Sequence, residues 1–174
     1  MYAIEIWSNV PPSLLKPLIT KQKAAIRIIA NKSYNAHTEP LFKALSILPL
    51  TELITHFNLK FFHSYFYNTI PPSFSSSWHT IIEHRHLIGL NNPDFNILNL
   101  RNNDDFYIPP VRTTFLTRFP LFNLPKLWNL LPQNLKEVAS GKSFSFLLKK
   151  HSISLLNDIP VCNRLLCPAC LRLN

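Results

Sequence analysis

The chain has 174 residues, 47% of them hydrophobic, enough to bury a core as one domain or two small ones and too apolar for compositional disorder. Eighteen Lys and Arg against nine Asp and Glu, a formal charge of +9 and a pI near 9.7 favour a polyanionic partner, nucleic acid or an anionic surface. Only two glycines, Gly89 and Gly141, stand against fifteen prolines, which excludes a phosphate-cradling loop, a dinucleotide turn and a nucleophile elbow, since each needs clustered glycines.

Residues 2–7, YAIEIW, are β-branched and aromatic and predict a short strand. No basic lead-in or small-residue cleavage site accompanies them, so no signal peptide is read. From Leu14 the pattern becomes helical. At about 100° per residue Leu14, Leu15, Leu18, Ile19, Ala25, Ile26 and Ile29 fall on one arc, with Lys16, Lys23 and Arg27 grouped beside it within roughly 40°. Gln22 interrupts that arc. Ser13 is the candidate N-cap, with a start nearer Lys16 equally compatible; Pro17 is tolerated at or near the first turn, and the helix fades around Asn31-Lys32-Ser33.

Thr38-Glu39-Pro40 opens a second, short helix that ends near Leu48-Pro49: a hydroxyl cap, an acid favoured by the helix dipole and a proline in the first turn. Thr51-Glu52 repeats the cap-plus-acid pattern. Leu53, Ile54, Phe57, Phe61, Ser64 and Tyr65 then follow helical spacing to about Asn68, and three helices joined by Pro-marked turns predict a small bundle. The longest apolar segment, Leu50 to Tyr67, is broken by Glu52, His56, Asn58, Lys60 and His63, so it does not read as a membrane span.

Between Pro71 and Asn103 the composition shifts to Ser, Asn and His and predicts mostly loop. Two strands flanking Pro109-Pro110, Phe106 to Ile108 and Val111 to Thr117, predict a hairpin. Phe119 to Leu131 predicts a Pro-interrupted helix around Trp128. Ser140 or Ser143 caps a last helix through Phe144, Leu147 and Leu148 to about His151.

Several chemistry-bearing clusters have plainer readings. Asp104-Asp105 imitates a polymerase's paired aspartates, yet Asn102-Asn103 precede it instead of an apolar strand, and a solvated turn is expected. Cys162, Cys167 and Cys170 supply three of the four ligands that structural zinc takes, with His151 the nearest fourth; free thiols in a reducing compartment are the expectation. His79, His84 and His86 around Arg85 read as surface histidines. No serine, cysteine or lysine has a base and an orienting acid at an interpretable spacing.

The order YAIEIWSN, then LKPLITKQKAAIRIIANKSYNAHTEPLFKALSILPLTEL, then FPLFNLPKLWNLLPQNL and FSFLLKKHSISLL resembles the C-terminal, thumb and post-thumb part of the reverse transcriptase of LINE-type, jockey-like non-LTR retrotransposons. The likeness runs from about Tyr2 to Leu156. Its signatures are Ala36-His37-Thr38-Glu39-Pro40-Leu41-Phe42 and Leu127-Trp128-Asn129-Leu130-Leu131-Pro132; Leu124-Pro125-Lys126 stands where the family usually has a glycine. The resemblance implies RNA-directed DNA synthesis for a longer parent protein, whose fingers and palm, with their magnesium-binding aspartates, would lie upstream of Met1; the alternatives for this chain are a non-catalytic nucleic-acid-binding module or a non-functional relic of a mobile element.

The expectation is therefore a mainly α protein: a thumb-like helical bundle over residues 1–70, a loop-rich linker over 71–103, and a β-hairpin plus helix with a Cys-containing tail over 104–174. No residue is assigned to catalysis and no cofactor to this chain. Lys16, Lys23 and Arg27 are expected to contact the backbone of an RNA or DNA duplex without reading sequence, in the nucleus or cytoplasm and away from membranes.

Overall fold

The computed structural model describes residues 10–74, 77–89 and 104–156. The protein is mainly helical, with seven α-helices and no β-strand among the described residues. They are α1 (Pro12–Ile29), α2 (Glu39–Ala44), α3 (Leu50–Phe66), α4 (Ile81–Gly89), α5 (Pro120–Asn129), α6 (Gln133–Lys136) and α7 (Gly141–Leu155). Short 3-10 turns occupy Pro72–Phe74 and Leu116–Arg118.

Proline starts most of these helices. Pro11, Pro49 and Pro132 hold the N-cap positions of α1, α3 and α6, and Pro12, Pro40 and Pro120 stand in the first turns of α1, α2 and α5. A fixed φ suits that position, and the missing N–H is one the first turn would leave unpaired anyway. Ser13 thus falls inside α1 instead of capping it. Thr38 and Ser140 do occupy the N-cap positions of α2 and α7, though neither hydroxyl closes a cap bond.

The helix ends show how a glycine-poor chain turns. Asn31, Ser46 and Asn68 adopt φ of 51°, 53° and 53°, the left-handed region that glycine usually fills. Each lies two residues past the end of α1, α2 or α3 and closes the same pair of bonds. After α1, Asn31 N–H donates to Ile28 C=O and Lys32 N–H to Arg27 C=O; Ser46 and Ile47, then Asn68 and Thr69, repeat the pattern.

The core forms around α3, which packs against α1, α5 and α7. Phe62 is fully buried, its ring meeting Tyr65, Trp78, Phe106 and Trp128 at centroid separations of 5.4, 5.4, 4.8 and 5.4 Å. One core therefore draws on residues from all three expected stretches: Leu59 and Phe62, then Trp78, then Trp128 and Phe144. Because α3 is covered on several sides, polar residues of it are buried too, and two of them pair within the fold. Thr55 Oγ1 donates to Thr51 C=O, and His63 Nε2 lies 2.7 Å from Val138 C=O while its ring stacks on Phe144. No single stripe through Leu53, Phe57 and Phe61 marks the buried face.

The expected hairpin is not formed. Phe106 makes one antiparallel bridge, to Thr80, flanked by bonds from Ile81 N–H to Asp105 C=O and from Tyr107 N–H to His79 C=O, each 2.8 Å. The other edge of Phe106 is closed by a side chain: Asn129 Oδ1 accepts its N–H at 3.0 Å and Asn129 Nδ2 donates to its C=O at 2.8 Å. Pro109-Pro110 cannot donate to a ladder, and the hydroxyls of Thr113 and Thr117 bond nearby backbone groups, so 111–117 turns instead of pairing.

A helix also stands where mostly loop was expected. Thr80 and Glu83 form a reciprocal cap at the start of α4: Glu83 Oε2 accepts Thr80 N–H at 2.7 Å, and Thr80 Oγ1 accepts Glu83 N–H at 3.3 Å. Thr-x-x-Glu is the spacing of a capping box, so the signal was present in the sequence.

Candidate nucleic-acid interface

Helix α1 carries the three predicted contact residues. It docks through Leu15, Ile19, Gln22 and Ile26: Leu15 packs with Leu50 and Ile54, and Ile26 with Phe42 and Leu156. Gln22 is the joint and not a flaw in the pattern. Its Nε2 donates to Leu48 C=O at 3.1 Å, and its Oε1 accepts the Leu50 N–H at 2.8 Å, capping α3 from another helix where Pro49 offers no side-chain cap. The predicted apolar arc is wider than the buried strip. Leu14, Leu18, Ala25 and Ile29, expected on the buried face, are exposed instead, because the body of the protein covers α1 from one side only.

Lys16, Lys23 and Arg27 lie on the opposite flank of the buried strip, and α1 contains no acid. Lys16 and Lys23 are exposed and two helical turns apart, about 10 Å along the axis. Arg27 is half-buried and anchored. Its Nε–H donates to Ala36 C=O at 2.9 Å and its guanidinium lies 5.7 Å from the centroid of the Tyr34 ring, which leaves the terminal amino groups for an anion. The result is a fixed arginine followed along one strip by two solvated ammonium groups. Such a strip suits successive phosphates along a backbone.

The remaining predicted groups lie elsewhere. Asp104 is exposed in a turn; Asp105 Oδ1 is 3.8 Å from Lys136 Nζ, and both aspartates line a shallow groove with Phe66, Trp128 and Glu137. His84 stacks on Tyr107 with centroids 3.5 Å apart, a packing role, and His86 is exposed. His151 sits half-buried on α7, whereas Cys162, Cys167, Cys170 and the strand expected at 2–7 lie outside the described residues. Among the described residues no cluster of His, Cys, Asp and Glu is placed to hold a metal, and no helix is long and apolar enough to cross a membrane.

One pair that bridges two helices was not legible in the sequence. His56 on α3 has Nε2 3.0 Å from Ser145 Oγ on α7, while its Nδ1 is buried with no partner. No acid orients that nitrogen, so the pair lacks what a hydrolytic site requires. Burial first, then the ammonium groups of Lys60 and Lys149, hold the His56 imidazole below its ordinary value. The unfolded chain takes up a proton here near pH 6.5 and the folded chain only at lower pH. The unfolded state holds more protons between those values, so this contribution to stability is complete above about pH 6.5 and is lost as pH falls below it. The urea midpoint is expected to drop between about pH 7.5 and pH 5, and to drop less in His56→Gln; equal losses would reject the assignment.

Comparison with known protein families, curated proteins and solved structures finds no match to this chain.

Proposed function

We propose that the protein is a non-catalytic nucleic-acid-binding module, corresponding to the thumb-side C-terminal part of a LINE-type reverse transcriptase, that grips the backbone of an RNA or DNA duplex through α1. The observation that supports this most is the acid-free strip of Lys16, Lys23 and anchored Arg27 along one flank of a docked helix. The order of the sequence signatures supports the parentage. In this reading RNA-directed DNA synthesis belongs to the longer parent, with its own magnesium-binding aspartates, and this chain alone extends no primer. The nucleus or cytoplasm is its place of action.

Lys16→Gln with Lys23→Gln tests the reading more cleanly than any change at Arg27, since both lysines are exposed and Arg27 also ties Ala36. Each phosphate contact removed lowers the slope of log affinity against log salt by about one unit, so the double variant is expected to lose about two units. Weakening should be similar for every duplex sequence. An unchanged slope overturns the assignment.

A further inference from the structure

The turn between the Phe106 bridge and α5 carries side chains that the fold leaves uncovered. Phe115 and Phe119 are 62% and 46% exposed, with ring centroids 5.1 Å apart and planes at 70°, an edge-to-face pair. Leu116 and Leu121 beside them are exposed as well. Exposed phenyl groups cost free energy in water, and here they are also held in place. Leu116 N–H donates to Thr113 Oγ1, Thr117 Oγ1 donates to Thr114 C=O at 2.7 Å, and Arg118 and Phe119 N–H close i to i+3 bonds onto Phe115 and Leu116. In such a 3-10 turn residues three apart share a face, which places the half-buried Arg118 on the same face as the N-cap residue Phe115. Arg112 is exposed at the other end of the turn.

Charge narrows the choice of partner. The sequence contains no acid between Asp105 and Glu137, and Asp105 is already close to Lys136. A surface that alternates arginine with exposed aromatic rings matches a ligand alternating phosphates with flat π-faces. We propose that the turn from Arg112 to Phe119 binds single-stranded nucleic acid, with bases stacking on Phe115 and Phe119 and flanking phosphates meeting Arg112 and Arg118. The proposal rests on the nucleic-acid reading above and adds a contact of another kind, since paired bases in a duplex do not offer their faces. Stacking of this type tolerates any base.

The test is anisotropy of a labelled oligothymidine and of a labelled mixed-sequence duplex, each titrated with wild type, Phe115→Ala/Phe119→Ala, Arg112→Gln/Arg118→Gln and Phe115→Trp. Loss of the two rings is expected to weaken the single strand by about tenfold to a hundredfold or more, with duplex affinity and the salt slope unchanged. Loss of the arginines should lower the single-strand slope by about one unit or more. Phe115→Trp should keep the affinity and gain an emission that the oligonucleotide quenches.

Unchanged single-strand affinity in the Phe115→Ala/Phe119→Ala variant overturns the proposal. So does a requirement for the same rings in binding phosphatidylserine vesicles or a polyglutamate peptide while the oligonucleotide is ignored. If the duplex still binds in a Lys16- and Lys23-dependent way, only this inference fails; if wild type binds neither strand nor duplex, the reading beneath it fails as well. The exposed ring positions should leave the fold intact, and the Phe115→Trp and arginine variants test the site independently of that.

Discussion

Phe62→Ala is expected to destabilise the protein by about 3–5 kcal/mol, read as a fall in the urea midpoint at unchanged slope. The ring is fully buried and contacts aromatic side chains contributed by α3, the residues just before α4, the Phe106 bridge and α5. Alanine would leave a void lined by rigid rings that cannot collapse into it, so the lost transfer energy and the cavity both count. Against a total of about 5–15 kcal/mol for an ordinary domain, such a loss removes a large share of the stability. Phe115→Ala supplies the internal contrast, because that ring is exposed and its removal should change stability by about 0.5 kcal/mol or less. Equal effects at the two positions would mean that the core is not where the fold puts it.

Asn129→Leu is expected to cost about 2–6 kcal/mol by the same measurement, taking about 1–3 kcal/mol for each of two buried backbone groups left without a partner. The Asn129 amide acts as a one-residue substitute for a neighbouring strand, satisfying both the N–H and the C=O of Phe106. Leucine keeps the branching and number of side-chain heavy atoms, though its methyl groups are bulkier, and has no way to satisfy either. Asn129→Asp separates the two bonds, since a carboxylate still accepts the Phe106 N–H but cannot donate to its C=O; it should fall between wild type and leucine. A leucine variant as stable as wild type would show that water replaces the amide at no cost.

That amide also illustrates what sequence reasoning could reach. Leu127-Trp128-Asn129 forms part of a recognisable sequence signature, and Trp128 beside apolar neighbours is readable as core. The task of Asn129 depends on Phe106, more than twenty residues away, and no local pattern encodes that partner. Gln22 is the same case: within its own helix it interrupts an apolar arc, and its purpose becomes visible only once α3 arrives with an uncapped first turn. By contrast Thr80-x-x-Glu83 is local and was readable, and the Ser- and His-rich surroundings obscured it.

By itself the sequence determined the extents of α1, α3 and α5 closely and the angular order of side chains around them, whereas α2 stops at Ala44, short of the expected Leu48-Pro49, and α7 runs on to Leu155, past the expected His151. Proline placement and the 3.6-residue period act within a few residues of where they are written. It therefore also determined that Lys16, Lys23 and Arg27 share one strip of α1. Tertiary structure alone decided which part of the α1 apolar arc is buried, that polar residues of α3 lie in the interior, and which of the described phenylalanines fill the core and which, like Phe115 and Phe119, meet solvent. Burial is a property of the partner that covers a residue, and those partners come from distant parts of the chain.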